Sequence, residues 1–147
     1  MDTDTSKLKN RILVIDDEPH VVTYLETLLQ DNGYDTASAS NGRLGMEKVK
    51  SEKPQLICLD ITMPEESGIQ FYRDLKDNPE FKTIPVVVVT AVTGYGGDPD
   101  GLKKFLSTRK HIPPPEGYFS KPINKSEFIA GIKQILSEEH LHDSGNE

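Results

Sequence analysis

Five short strand-like runs, each followed by a stretch of helical spacing, constrain this chain more than any other feature. The runs are Ile12-Leu13-Val14-Ile15, Tyr34 to Ala39, Gln55 to Asp60, Pro85 to Thr90 and Gly117 to Ser120. The first is continuously apolar, as suits a strand buried on both faces, and the fourth is β-branched throughout. Val21, Val22, Leu25, Leu28 and Leu29 recur at helical spacing after the first run, behind Pro19, which suits a first helical turn. Asn32-Gly33 closes that helix, with Gly33 as its left-handed cap. Leu44, Met46 and Val49 mark a second helix that ends at Lys53-Pro54. Ser67 and Gln70 read as a capping box opening a third, with Ile69, Phe71, Tyr72 and Leu75 available for packing as far as about Asp77. Asp98-Pro99 can open a fourth, with Leu102, Phe105 and Leu106 as its stripe. Asn124 to Glu127 caps a last helix whose stripe is Phe128, Ile129, Ile132, Ile135 and Leu136. Strand and helix thus alternate five times, which implies an α/β fold: a doubly wound, five-stranded parallel sheet with helices on both faces.

The 147 residues suit a single domain. Residues 1–9 read as a disordered N-terminus, 10–138 as the domain and 139–147 as a polar tail. No apolar run is long enough for a signal peptide or a membrane span, so a cytoplasmic location is expected. The net charge of −7 works against non-specific binding to nucleic acid or an anionic membrane. The single cysteine, Cys58, lies mid-strand and reads as a small buried apolar residue.

The polar residues at the strand ends carry the chemistry. In an open α/β sheet, the carboxyl ends of the strands form the binding edge. Asp16 and Asp17 follow the first run, Asp60 the third, Thr90 the fourth and Lys121 the fifth. Three carboxylates brought together repel one another, and a hard divalent cation resolves that repulsion with oxygen ligands. A site of this kind attracts a phosphoryl group. Lys121 can neutralise one phosphoryl oxygen, Thr90 can donate a hydrogen bond to another, and Asp60 is positioned as a nucleophile toward phosphorus.

Four motifs together resemble the response-regulator receiver domain of two-component signalling: Val14-Ile15-Asp16-Asp17-Glu18-Pro19, Leu59-Asp60-Ile61-Thr62-Met63-Pro64, Val89-Thr90-Ala91 and Phe119-Ser120-Lys121-Pro122. The resemblance covers about residues 10–138. It implies a flavodoxin-like strand order, 2-1-3-4-5. It implies that Asp60 accepts a phosphoryl group from the phosphohistidine of a sensor histidine kinase or a phosphotransfer protein. It implies Mg²⁺ (or Mn²⁺) held by Asp17, Asp60 and the Thr62 carbonyl, with Asp16 acting through water. Thr90 and Lys121 would contact the phosphoryl oxygens, and Tyr118 would be the aromatic switch that swings inward as Thr90 moves. A cis peptide bond before Pro122 is expected, and Ala91 is small enough to admit a phosphoryl group. Thr62 and Val92 match the variable positions that tune dephosphorylation. Val92 should crowd an attacking water and slow self-hydrolysis. The chain would then be a phosphoacceptor signalling domain rather than an enzyme, and would act on a downstream protein partner.

One departure from the family is the 27 residues between Thr90 and Tyr118, longer than its pattern, with a glycine cluster at Gly94, Gly96 and Gly97. The face of the fourth helix, fifth strand and fifth helix, a common partner surface of receivers, should therefore be altered. Lys103, Lys104, Arg109 and Lys110 form a local basic patch there, readable as a solvated face or as a dock for an acidic partner. No nucleic-acid motif accompanies it. Other readings were a Mg²⁺-dependent phosphatase, which usually places a second acid where Thr62 stands, and a flavin domain, which needs a hydroxyl- and glycine-rich loop where Asp16-Asp17-Glu18 stands. A receiver fold acting as an interaction module without phosphorylation is a further alternative.

Overall fold

The computed structural model describes residues 10–61, 67–91 and 113–145. Five strands form one sheet: β1 (Arg11–Ile15), β2 (Asp35–Ala39), β3 (Leu56–Leu59), β4 (Val86–Ala91) and β5 (Gly117–Lys121). Every pairing is parallel and the order is β2-β1-β3-β4-β5, as the resemblance implies. Helices α1 (Pro19–Asp31), α2 (Gly42–Glu52) and α3 (Ser67–Lys76) and a C-terminal helix (Lys125–Gly145) cover it. The expected helix after Asp98 lies outside the described residues, as does the basic patch.

The strand sequences explain the two-sided packing. Side chains alternate across a strand, so consecutive apolar residues feed opposite faces. Leu13, Ile15, Ile57, Leu59, Val86 and Val88 pack on one face with Ile69, Phe71, Tyr72 and Leu75 of α3 and Val49 of α2. Ile12, Val14, Leu56, Cys58, Val87 and Val89 pack on the other with Leu25 and Leu29 of α1 and Phe128 and Ile132 of the C-terminal helix. The last four residues of β1 and all of β3 are inaccessible to solvent or nearly so. Burial of Cys58 pushes its thiol up to about 12, consistent with an inert core residue.

Several element ends differ from the sequence reading. Gly33 adopts φ +93° beyond α1, the left-handed conformation expected of it. At α2 the N-cap is Asn41, whose side chain accepts from the Leu44 N–H at 2.8 Å, and Lys53 forms the left-handed C-cap at φ 48°. α3 begins at Ser67 and the Gln70 amide donates forward to Asp74 at 2.9 Å, while the Ser67 side chain, and with it the expected capping box, lies outside the described residues. Asn124 caps the C-terminal helix, accepting from the Glu127 N–H at 3.0 Å. That helix runs to Gly145, through most of the stretch 139–147 that reads as a polar tail. Polarity there was a poor guide, because Ser137 to Ser144 contains no glycine or proline to stop a helix.

Candidate functional site

Register brings the site together. The ladder continues one peptide beyond the strands: the Asp16 N–H donates to Ala39 O at 3.1 Å and the Asp60 N–H to Ile15 O at 2.9 Å. Both carboxylates are thereby fixed side by side at the carboxyl edge. Lys121, the last residue of β5, pairs in register with Ala91, so its side chain must cross the end of β4 to reach them. Its Nζ lies 3.0 Å from Asp16 Oδ2, 3.5 Å from Asp60 Oδ2 and 3.2 Å from Glu18 Oε1. The Lys121–Pro122 peptide bond is cis.

Asp16, Asp17 and Asp60 each offer a carboxylate oxygen within 4.8 Å of the others. Asp16 and Asp60 are 2% and 4% exposed, while Asp17 faces solvent. With Glu18 the cluster holds four carboxylates and one ammonium, three of the carboxylates facing it, for a formal charge of −3. Burial pushes the Asp16 carboxyl above the usual carboxylate range, and Asp60 adds to that rise. The N–H of Glu18, at 3.0 Å from Asp16 Oδ1, and Lys121 offset only part of it. Burial alone would lower the Lys121 ammonium, but Asp16, Asp60 and Glu18 outweigh it and hold the lysine charged.

The donor set fits a hard divalent cation. All three ligand candidates are carboxylates, with no sulfur or imidazole among them. Asp16 Oδ2 is buried beside Lys121 yet lies outside hydrogen-bond angles, so it has no hydrogen-bond partner among the described residues. The Lys121 ammonium offsets one of the buried negative charges, and the excess that remains suits a divalent cation. Asp16 and Asp17 also line a groove of about 660 Å³ between α1 and α2, with Thr23, Ser38 and Lys48.

Asp16, Asp17, Asp60 and Lys121 are therefore brought together. Thr90 occupies its strand end, paired in register with Ser120, but its side chain, like Thr62 and Val92, lies outside the described residues. Tyr118 is half-buried against the α2/α3 face, and its hydroxyl has no hydrogen-bond partner among the described residues. Burial, with Glu116 adding to it, pushes its phenol up to about 12.

Two residues of the site were not singled out from the sequence. Glu18 enters the sequence reading only as a member of the first motif, yet it pairs with a lysine 103 residues away. Gly68 lies against the Asp60–Ile61 backbone: a Cβ there would overlap the Asp60 carbonyl oxygen and stand 2.8 Å from Ile61 Cα. A glycine four residues beyond the proline of the second motif was the available signal for a close approach.

Comparison with known proteins agrees with this geometry. The family model described as "Response regulator receiver domain" matches residues 12–133. The chain belongs to the response regulator receiver domain family. This receiver domain is 31% identical over 127 residues to the polar-differentiation response regulator DivK of Brucella anthropi, covering 86% of this chain and 96% of DivK. It is 32% identical to the alkaline phosphatase synthesis transcriptional regulatory protein PhoP of Bacillus subtilis, spanning 88% of this chain and about half, 49%, of PhoP. Among solved structures, the signal receiver domain of a signal transduction histidine kinase from Syntrophus aciditrophicus superposes with a TM-score of 0.73 at 29% identity, covering 88% of this chain and 91% of that one. The chemotaxis response regulator CheY4 of Vibrio cholerae, at 21% identity and TM-score 0.72 over 86% of this chain and 98% of its own, shares the fold. Receiver domains of response regulators are signalling domains, and they bind Mg²⁺ at an acidic pocket and interact with histidine kinases or phosphotransfer proteins. No helix among the described residues is long and apolar enough to cross a membrane.

Proposed function

We propose that this receiver domain accepts a phosphoryl group on Asp60 from the phosphohistidine of a sensor histidine kinase or phosphotransfer protein, and that the phosphorylated form changes its affinity for a downstream protein. The observation that carries the reading is the convergence of Asp16, Asp17, Asp60 and Lys121 from three strand ends into one cleft. An Asp60 carboxylate oxygen attacks phosphorus. The phosphorus–nitrogen bond to histidine breaks, its electron pair stays on the imidazole, and an acyl phosphate is left on Asp60. Lys121 faces the phosphoryl oxygens and offsets the charge that develops on them. Asp16, Asp17, Asp60 and the Thr62 carbonyl would hold Mg²⁺ (or Mn²⁺), which when bound draws the phosphoryl oxygens in and neutralises them.

Thr90 would hydrogen-bond a phosphoryl oxygen, and Tyr118 would report its movement. A Tyr118 hydroxyl with no hydrogen bond to break among the described residues supports a side chain that changes place at low cost. Val92, two residues after Thr90 in sequence, would slow hydrolysis, so the domain would act as a phosphoacceptor rather than as a phosphatase. We place the downstream partner on the face that includes β5 and the C-terminal helix, without direct contact to DNA, in the cytoplasm. The test is intact-mass spectrometry with acetyl phosphate and Mg²⁺. One phosphoryl adduct, absent in Asp60→Asn and absent with chelator, supports the reading. No adduct in the wild type would leave a receiver fold that works without phosphorylation.

A further inference from the structure

β2 is an edge strand. It pairs with β1 alone, and the order β2-β1-β3-β4-β5 puts no further strand beyond it among the described residues. The parallel register decides which of its backbone groups face outward. The Asp35 N–H donates to the Asn10 carbonyl and the Ala39 carbonyl accepts from the Asp16 N–H, so the odd-numbered residues of β2 use their backbone groups on β1. The N–H and C=O of Thr36 and Ser38 therefore point away from the sheet. Folded proteins usually blunt such an edge with charge, proline or a bulge. Thr36-Ala37-Ser38-Ala39 has no charge and no proline, and its register with β1 runs without a bulge.

The flanking helices leave a channel along this edge. α1 packs on one face of the sheet and α2 on the other, so the groove of about 660 Å³ between them straddles β2. Ser38 lines it, with Val22 of α1 and Leu44 of α2 as apolar contacts, and Asp17, Glu47 and Lys48 supply charge. Asp16 lines it too, but Lys121 offsets that carboxylate from 3.0 Å. Two exposed carboxylates, Asp17 and Glu47, are left against one lysine, in a chain of net charge −7. Glu47 also pairs with Arg43 at 3.1 Å, but both side chains are largely exposed and surface pairs of this kind are weak. The balance of charge suits a cationic occupant.

We propose that the open edge of β2 is a docking site for an extended, basic segment of a protein partner: the segment adds as a further strand against Thr36 and Ser38, and its lysine or arginine side chains meet Asp17 and Glu47. Strand addition takes its affinity from main-chain hydrogen bonds and its specificity from side chains at alternate positions. Apolar residues between the cationic ones would meet Val22 and Leu44. β2 and β5 are opposite edges of the sheet, so this surface is separate from the face assigned to the downstream partner. The inference does not depend on Asp60 accepting a phosphoryl group.

The experiment measures fluorescence anisotropy of a labelled pentapeptide of alternating valine and arginine, against one of alternating valine and glutamate. Chelator is present, so that no divalent cation competes for Asp17. The arginine peptide is expected to bind saturably with a Kd below about 1 mM, and the glutamate peptide not to bind in that range. Glu47→Gln should weaken binding about twofold to fivefold at low ionic strength, the range of an exposed ion pair. Ser38→Pro removes an outward N–H that β1 does not use, the place where an edge strand accepts proline. It should weaken binding about tenfold, the upper end for one hydrogen bond, with Tm near wild type. Attraction by net charge alone would survive that substitution. Should Ser38→Pro fail to fold, amide exchange in wild type decides: the Thr36 and Ser38 N–H groups should slow when the arginine peptide is added. Equal binding of the two peptides, an unchanged affinity in folded Ser38→Pro, unchanged exchange at Thr36 and Ser38, or no binding up to about 1 mM overturns the inference.

Discussion

Gly68→Ala separates tertiary packing from helix propensity, because the two predict opposite signs. Gly68 is buried in the first turn of α3. Propensity alone predicts that alanine there stabilises the helix by about 1 kcal/mol. The structure predicts a loss. The new methyl group would overlap the Asp60 carbonyl oxygen and stand 2.8 Å from Ile61 Cα, where ordinary contact begins at 3.4 Å. Both atoms belong to backbone, so no rotamer change relieves them. The Asp60–Ile61 peptide or the start of α3 must retreat by at least 0.6 Å, the difference between those two distances. Overpacking of this kind costs about 3 kcal/mol at the upper end of its usual range. Set against the gain in propensity, the net loss is about 2 kcal/mol, or a fall in Tm of roughly 4–8 °C for a domain of this size. Metal sites tolerate shifts of only about 0.2 Å in ligand position, so Mg²⁺ affinity should fall about tenfold or more. Urea unfolding gives the first quantity and calorimetric Mg²⁺ titration the second. Gly45→Ala is the control: its Cβ would stand 2.6 Å from the Ile15 Cδ1 methyl, a side-chain tip that can move, so a smaller loss with unchanged metal affinity is expected. A Gly68→Ala protein as stable as wild type, with the same Mg²⁺ affinity, would refute the reasoning.

Three further outcomes are expected. Asp16→Asn should stabilise the metal-free protein by about 1 kcal/mol in urea unfolding at neutral pH, because it removes a buried charge from a cluster with excess negative charge. The sign follows from the raised carboxyl: its contribution to stability is present below the unfolded value and is lost as pH rises through the folded one, so at neutral pH the ionised group is a cost. Mg²⁺ should raise Tm in wild type, by the equivalent of about 2.7 kcal/mol at a hundred times its Kd, and chelator should reverse the rise. Asp17→Asn should abolish most of it, and an unchanged response would remove Asp17 from the ligand set. Tyr118, pushed up to about 12 by burial, should contribute stability below pH 10 that is lost as pH rises through about 12. Absorbance titration of tyrosinate against Tyr118→Phe reads that step, and loss of a phenol titrating near pH 10 instead would contradict the burial argument.

The strands were legible because each central one feeds two cores. Val86 to Val89 is an unbroken apolar run since Val86 and Val88 face α3 while Val87 and Val89 face the C-terminal helix. The stripes of α3 and the C-terminal helix were legible for the same reason, their apolar positions being those that touch the sheet. The acids and Lys121 were legible as a set because strand ends share an edge whatever the intervening sequence. Pairings set by three-dimensional reach were not. Lys76 reads as a surface lysine at a helix end, yet it is 6% exposed and donates to the carbonyls of Lys82 and Ile84 at 3.2 and 3.0 Å, with Tyr72 beneath it. The Tyr72 hydroxyl donates to the Pro113 carbonyl, a contact across 41 residues that no local pattern encodes. The Gln70 amide likewise donates to Asp74, four residues on along the same helix face.

The most direct test of the account is to trap the phosphoryl group where it forms. Borohydride reduces an acyl phosphate to an alcohol and leaves a free carboxylate untouched, so treatment of the phosphorylated protein converts the acceptor aspartate to homoserine. Peptide mapping should then find homoserine at position 60, in the strand-end segment Leu56-Ile57-Cys58-Leu59-Asp60, and at no other aspartate. Homoserine at position 16 or 17, or none anywhere in protein that carries the added mass, would contradict it.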